Sequence, residues 1–428
     1  MSSITIQQPM ETSISKTSTA DLAMLFIICF ISSVLGGAVS TLMSVYLPVV
    51  IKELQGELPP EQVNAISGYI NAIFIFGWAA GGFIWGVVSD KIGRKKAFVY
   101  AVACYGVFTI LTGMMPQWTG VVLCRFMSGF GVGGELVISF TLISEVWPNK
   151  SKAVFTGILS IAFPVGIFSA GAINYIMSSW REGFLIGIIP ITFAILGAII
   201  ISESEVWKNH KKQKSIDSSS NSLFSPANRR ELIVGSIMFG TMLIGLWAIF
   251  SWLPTWIQSL FTVDAPKQRG LSMMFLGMGG LTGGFFSGWL VKLLGLRRSM
   301  LLCFAVCAGL SFILFKTNSS FSPVIYVEIA IIALFFGASQ GVLSAYIPQL
   351  FGTGIRATAT GFCFNVGRLF TASAVLFIGV LVTTLGGYGN AIFIFSLVFV
   401  IGFIVLLFIK DKTTIEPLNE AGILSDNH

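Results

Sequence analysis

The sequence predicts an all-α membrane protein of twelve transmembrane helices in two pseudo-symmetric six-helix halves. Three observations carry that prediction. Hydrophobic residues make up 54% of the chain and charged residues 11%, with mean hydropathy +0.85; an ordinary soluble domain is about 25% charged. Apolar runs recur at about the twenty residues a helix needs to cross hydrocarbon. Spaced motifs also repeat at nearly one offset. The step of 7 from Gly86 to Gly93 recurs 202 residues on, from Gly288 to Gly295. The steps of 7 and 12 from Glu145 to Lys152 and Gly157 recur 204 residues on, in Gln349, Arg356 and Gly361. Duplicated halves of this kind place a binding site between them, near the midplane.

Residues 1–21 are polar and lack a charged stretch leading into an apolar one, so they read as a disordered tail rather than a cleaved signal. The first half, 22–202, holds spans at 22–51, 66–89, 97–115, 121–143 and 153–177, and a sixth ending near residue 201. Pro59-Pro60 marks the first outer loop, and Trp118 marks an interface where aromatic belts sit. Residues 203–231 hold acids, lysines, Ser218–Ser220 and Arg229-Arg230, the composition of a flexible charged linker. The second half, 232–410, holds spans at 232–260, 271–291, 300–315, 324–347, 357–385 and 391–409, and 411–428 is a second tail.

The net charge of +7 does not imply nucleic-acid binding, because the cations cluster. Nineteen fall on the side that carries both tails and the linker, and five on the other, among them Arg269. The positive-inside rule therefore places both termini in the cytoplasm. Short outer loops fit a bacterial inner membrane, although Asn318-Ser319-Ser320 is a formal glycosylation sequon. The six cysteines lie in apolar runs without metal-ligand spacing, so no metal, cofactor or disulfide framework is expected.

Few polar residues lie deep in the spans. Glu135 is about 14 residues into the fourth span, ~21 Å from its start. A carboxylate there is costly and is a functional candidate by default; the alternative is a structural hydrogen bond to another helix. Arg125, ten residues earlier, either serves the site or snorkels to the interface. Arg368 is too deep in the eleventh span to snorkel and points to the central cavity. Gln340, Asn365 and Trp252 would shape the pocket, although the tryptophans of the seventh span also suit an interface anchor. Pro254 permits that span to bend. Neither His210 nor His428 lies in a span, which excludes a histidine relay.

Gly86-Val-Val-Ser-Asp90-Lys-Ile-Gly93-Arg94-Lys-Lys96 resembles the loop 2–3 signature of the major facilitator superfamily, with a weaker second copy at 288–298. Arg125-x-x-x-Gly-x-Gly-x-Gly-Gly-Glu135, Trp180-Arg181, the Trp-Leu-Pro-Thr of the seventh span and Gly361-Phe-Cys-Phe-Asn365-Val-Gly-Arg368 extend the resemblance. Together they resemble its metabolite:proton symporter, organic-acid and sugar-porter branches. The resemblance implies a major facilitator fold and a cytoplasmic latch of Gly86, Asp90, Gly93, Arg94, Glu145 and Arg356. Lys292 stands at the second copy's Asp90 position, which weakens that latch. Related sugar porters carry a first-span aspartate opposite the fourth-span arginine. No acid lies between Leu22 and Ile51, which favours an anionic substrate over a sugar. The segment from Ser202 to Trp207 resembles the sugar-porter signature after the sixth span, without its leading proline.

The expectation is a monomeric secondary transporter in the lipid bilayer that alternates access and takes up a small organic anion, a carboxylate, with a proton. Arg125 and Arg368 would attract the anion and Glu135 would carry the proton. A drug/proton antiporter would carry Gly-Pro-x-x-Gly-Gly in the fifth span, where Ala162-Phe-Pro164-Val-Gly166 stands. A sugar porter or a non-transporting sensor would share the fold. No nucleophile–base or metal constellation suggests an enzyme.

Overall fold

A computed structural model describes residues 19–177, 179–208, 223–352 and 355–408. Among these, twelve helices are long and apolar enough to cross a membrane, and no strand occurs. In the first half these are α1 (Thr19–Gln55), α2 (Pro60–Ile92), α3 (Arg94–Met114) and α4 (Trp118–Val146). There follow α5, made of Asn149–Ser160 and Ala162–Ile176, and α6, in which Trp180–Gly183, the 3₁₀ turn Phe184–Gly187 and Ile188–Ile200 are continuous. The second half has α7 (Pro226–Ser259), α8 (Pro266–Leu294) and α9 (Leu296–Phe312, running into the π turn Ile313–Thr317). It closes with α10 (Val324–Gln349), α11 (Arg356–Leu381) and α12 (Tyr388–Ser396 with Val398–Phe408).

Several helices outrun their apolar cores. Hydropathy marks the hydrocarbon thickness, whereas a helix continues until its backbone is stopped. Thus α1 continues four residues past Ile51 to Gln55, and α7 starts at Pro226. Proline suits a first turn because its missing N–H has no helical partner there. The end of the expected 203–231 linker is therefore helical. The rest of its centre, 209–222, and most of both expected tails lie outside the described residues. Gly93 (φ 103°) and Gly295 (φ 77°) end α2 and α8 and start α3 and α9 in a single residue. Positive φ is strained for any residue with a Cβ, which is why glycine stands at both places.

The halves repeat the same packing. In the first, a Cβ on Gly129 or Gly133 of α4 would come 2.1 and 2.2 Å from the Phe74 and Trp78 carbonyl oxygens of α2. In the second, a Cβ on Gly279 or Gly283 of α8 would come 2.2 and 1.7 Å from the Ala330 and Leu334 oxygens of α10. Small residues let the backbones touch where lipid supplies no hydrophobic drive between helices.

The halves meet mainly through two crossings, α2 with α11 and α5 with α8. At the face away from the linker, a Cβ on Gly68 would lie 3.3 Å from Gly379 Cα, and one on Gly171 2.5 Å from the Gly270 oxygen. Nearer the linker face, Gly86, Gly157, Gly288 and Gly361 have nothing around a Cβ within 4 Å. The halves are closed at the face opposite the linker and parted at the linker face.

Candidate functional site

Between the halves, α11 presents Arg368. Its Nη1 donates to Asn365 Oδ1 at 3.0 Å, and Asn365 Nδ2 in turn donates to the Gly361 carbonyl at 3.0 Å, which orients the amide. The guanidinium lies 5.0 Å over the ring of Trp78 on α2, so the cation of one half rests on an aromatic face of the other. Trp78 stacks on Phe163 of α5 (5.4 Å, 26°) and meets Trp247 of α7 edge-on (5.3 Å, 86°). Gly82 gives Asn365 its room, since a Cβ there would fall 2.6 Å from Oδ1. One turn further, Trp85 carries a buried indole N–H without an acceptor, and on α10 the Gln340 amide nitrogen is likewise unpartnered among the described residues. A cation and an aromatic wall can hold a carboxylate and stack a flat ring.

Of the expected pocket residues, Arg368 and Asn365 come together. Among the described residues no hydrogen bond joins Gln340 to them. Trp252 is not on this wall: its side chain is wholly buried, its indole donates to the Val375 carbonyl at 3.2 Å, and it packs α7 on α11 beside Gly379. Trp78 and Phe163 were missed because an aromatic inside an apolar run gives no local sign that it faces a cavity.

Arg125 neither snorkels nor reaches this wall. Its side chain is buried under α1, where Nη1 donates to the Val39 carbonyl at 2.9 Å and Nη2 to that of Ser40 at 3.3 Å. Phe74 lies 3.9 Å beneath it. Backbone oxygens of α1 thus stand where an acid of α1 is missing. Glu135 also ties α4 to α1. Its Oε1 accepts from Ser33 Oγ at 2.8 Å and Ser139 Oγ at 2.7 Å, while Oε2 has no partner among the described residues. Both candidate residues thus make structural bonds to α1, and Glu135 keeps one oxygen free.

The latch residues assemble within the first half. Arg94 donates to Asp90 Oδ1 at 2.5 Å and to Glu145 Oε1 at 3.0 Å. Glu203 accepts from the backbone N–H groups of Arg94 and Lys95 at 2.8 and 3.3 Å, a carboxylate at the positive end of α3. Trp207 donates to the Asp90 carbonyl at 2.8 Å, so the segment after α6 closes the cluster. Arg356 does not join it. Its Nε donates to the Phe351 carbonyl at 3.3 Å, as expected of halves parted at this face. Arg269, counted from sequence among the outer cations, is fully buried.

Residues 22–375 match the sequence pattern of the Major Facilitator Superfamily. The chain belongs to that superfamily. It is 27% identical to the "Putative niacin/nicotinamide transporter NiaP" of Bacillus subtilis (strain 168), a match that covers 77% of this chain and 81% of that protein. It is 25% identical to the "Cis,cis-muconate transport protein" of Acinetobacter baylyi, over 90% and 94%. In structure it resembles the inward open conformation of the xylose transporter XylE from E. coli, with TM-score 0.76, 15% identity and coverage of 92% and 98%. This facilitator is a multi-pass membrane transporter and not an enzyme.

Proposed function

We propose that this facilitator carries small organic anions, carboxylates with a flat or conjugated body, by alternating access and in symport with a proton. The observation that carries the proposal is Arg368 laid over Trp78 between the halves, with Asn365 bonded to its guanidinium. Relatives named for niacin and muconate support the same substrate class. Arg368 binds the carboxylate, Trp78 and Phe163 take the ring, and Asn365 sets the guanidinium. Glu135 carries the proton, since an ionisable group buried in the spans with one carboxyl oxygen unpartnered is suited to exchange one. Arg125 holds α4 to α1 and does not touch the anion. The linker face is cytoplasmic, the membrane is a bacterial inner membrane, and the transporter works as a monomer.

The test is uptake of labelled benzoate, nicotinate and cis,cis-muconate into proteoliposomes, with and without an inward proton gradient. Gradient-driven accumulation of at least one acid is expected. Arg368→Gln should lower its kcat/KM about tenfold or more, the loss of a charge-assisted bond. Glu135→Gln should abolish accumulation while substrate exchange persists. Accumulation that ignores the proton gradient, or that survives Arg368→Gln unchanged, would sink the reading.

A further inference from the structure

The central site leaves one charged cluster without a role. It lies at the face opposite the linker, where α5 crosses α8. Arg269 is the fourth residue of α8, and its side chain is buried. Its Nη1 donates to Asp264 Oδ1 at 2.5 Å and also to Gln258 Oε1, while Nε has no partner among the described residues. Asp264 itself is 59% exposed. Across the boundary stands Asn174 of α5, 1% exposed, with neither amide atom hydrogen-bonded among the described residues. Tyr46 of α1 lies beside Asn174, its hydroxyl donating to the Met177 carbonyl at 2.8 Å. The two halves touch here through backbone: a Cβ on Gly171 would lie 2.5 Å from the Gly270 oxygen, and one on Gly270 2.7 Å from the Gly171 oxygen.

Buried polar atoms are almost always paired, so an amide with neither atom satisfied calls for a use. A guanidinium with an idle Nε at the positive end of α8, and an idle amide about one turn from Gly171 across the boundary, can together take an anion. In this conformation the chain fills that site with its own carboxylate. We infer that Arg269 and Asn174 form an arrival subsite for the carboxylate of the substrate, shuttered by Asp264. When the halves part on this face, the solvent-facing Asp264 yields Arg269 to an incoming anion, which Asn174 then helps to hold. The inference rests on the carboxylate reading above and adds a second binding position to it, distinct from Arg368.

Membrane vesicles of both orientations separate this role from a structural one. The probes are labelled benzoate, nicotinate and cis,cis-muconate, measured without any gradient. Under that condition kcat/KM must be equal in the two directions, so a defect at one face reads differently from each side. For acid presented at the face opposite the linker, Arg269→Gln should raise KM about tenfold with kcat held. Presented at the linker face, the same variant should keep KM and lose kcat by the same factor. Arg269→Lys, which keeps the charge and loses the fork, should fall between. Asp264→Asn, which removes the internal competitor, should lower KM at the opposite face severalfold. The inference is overturned if Arg269→Gln lowers kcat from both sides with KM fixed, as a packing defect would, or if Asp264→Asn leaves KM unchanged. Should Arg269→Gln fail to reach the membrane, Asp264→Asn decides alone, because its exposed side chain is not needed for packing. If wild-type vesicles of neither orientation saturate with any of the three acids, the carboxylate reading itself falls.

Discussion

Arg125 shows how a buried cation can be held without a countercharge. Two carbonyl oxygens of α1 and the face of Phe74 surround its guanidinium. Arg125→Lys replaces a fork by a point charge and gives up at least one of the two bonds to α1, so stability should fall by about 1–3 kcal/mol. The check is the melting temperature of purified protein beside the KM of the surviving fraction. A lower melting temperature with unchanged KM is expected, whereas a raised KM at unchanged stability would return Arg125 to the substrate. The sequence showed the depth of Arg125, Glu135 and Arg368, because charge inside an apolar run is conspicuous. It did not show their partners. Carbonyl oxygens and an aromatic face carry no mark in a sequence, and Trp78 became a candidate only once α11 was laid across α2. The burial of Arg269 was hidden for a related reason: it sits near the end of a span, where length alone reads as water.

The helices were legible in number and order, since hydropathy and loop chemistry report both. Their ends were less so, because Pro226 and Gln55 lie outside the apolar windows. How two helices approach depends on which glycines face each other. The α2–α4 contact makes this testable. Gly133→Ala places a methyl group 2.2 Å from the Trp78 oxygen, in backbone that cannot yield as a flexible side chain does. It should cost about 1–3 kcal/mol, the range for overpacking, and should raise KM as well, because Trp78 carries the aromatic wall. Gly309→Ala on α9 is the control. Nothing lies within 4 Å of its Cβ, so the change should be neutral or slightly stabilising. Equal effects of the two substitutions, read by melting temperature, would mean that the close approach of α2 and α4 is not what holds them.

At the scale of the whole molecule, pseudo-symmetry turns one conformation into a statement about another. Gly68 of α2 faces Gly379 of α11 at the closed face, whereas Gly86 and Gly361, on the same two helices, face open space. Rocking one half against the other, as duplicated transporters do, should open the first pair and bring the second together. A disulfide fixes such a choice, because its Cα atoms must lie within about 7 Å. In a background lacking the native cysteines, Gly68→Cys with Gly379→Cys should oxidise readily and trap the conformation described here. Gly86→Cys with Gly361→Cys should oxidise only in molecules that have closed at the linker face. Either bond should stop transport, and reductant should restore it. The second bond should also free Arg269 from its burial between the halves, so that after it forms, labelling at Asn174→Cys by a membrane-impermeant thiol reagent becomes fast. Transport that continues with the Gly68–Gly379 pair oxidised would show that this crossing never opens, and the substrate would then need another way across that face.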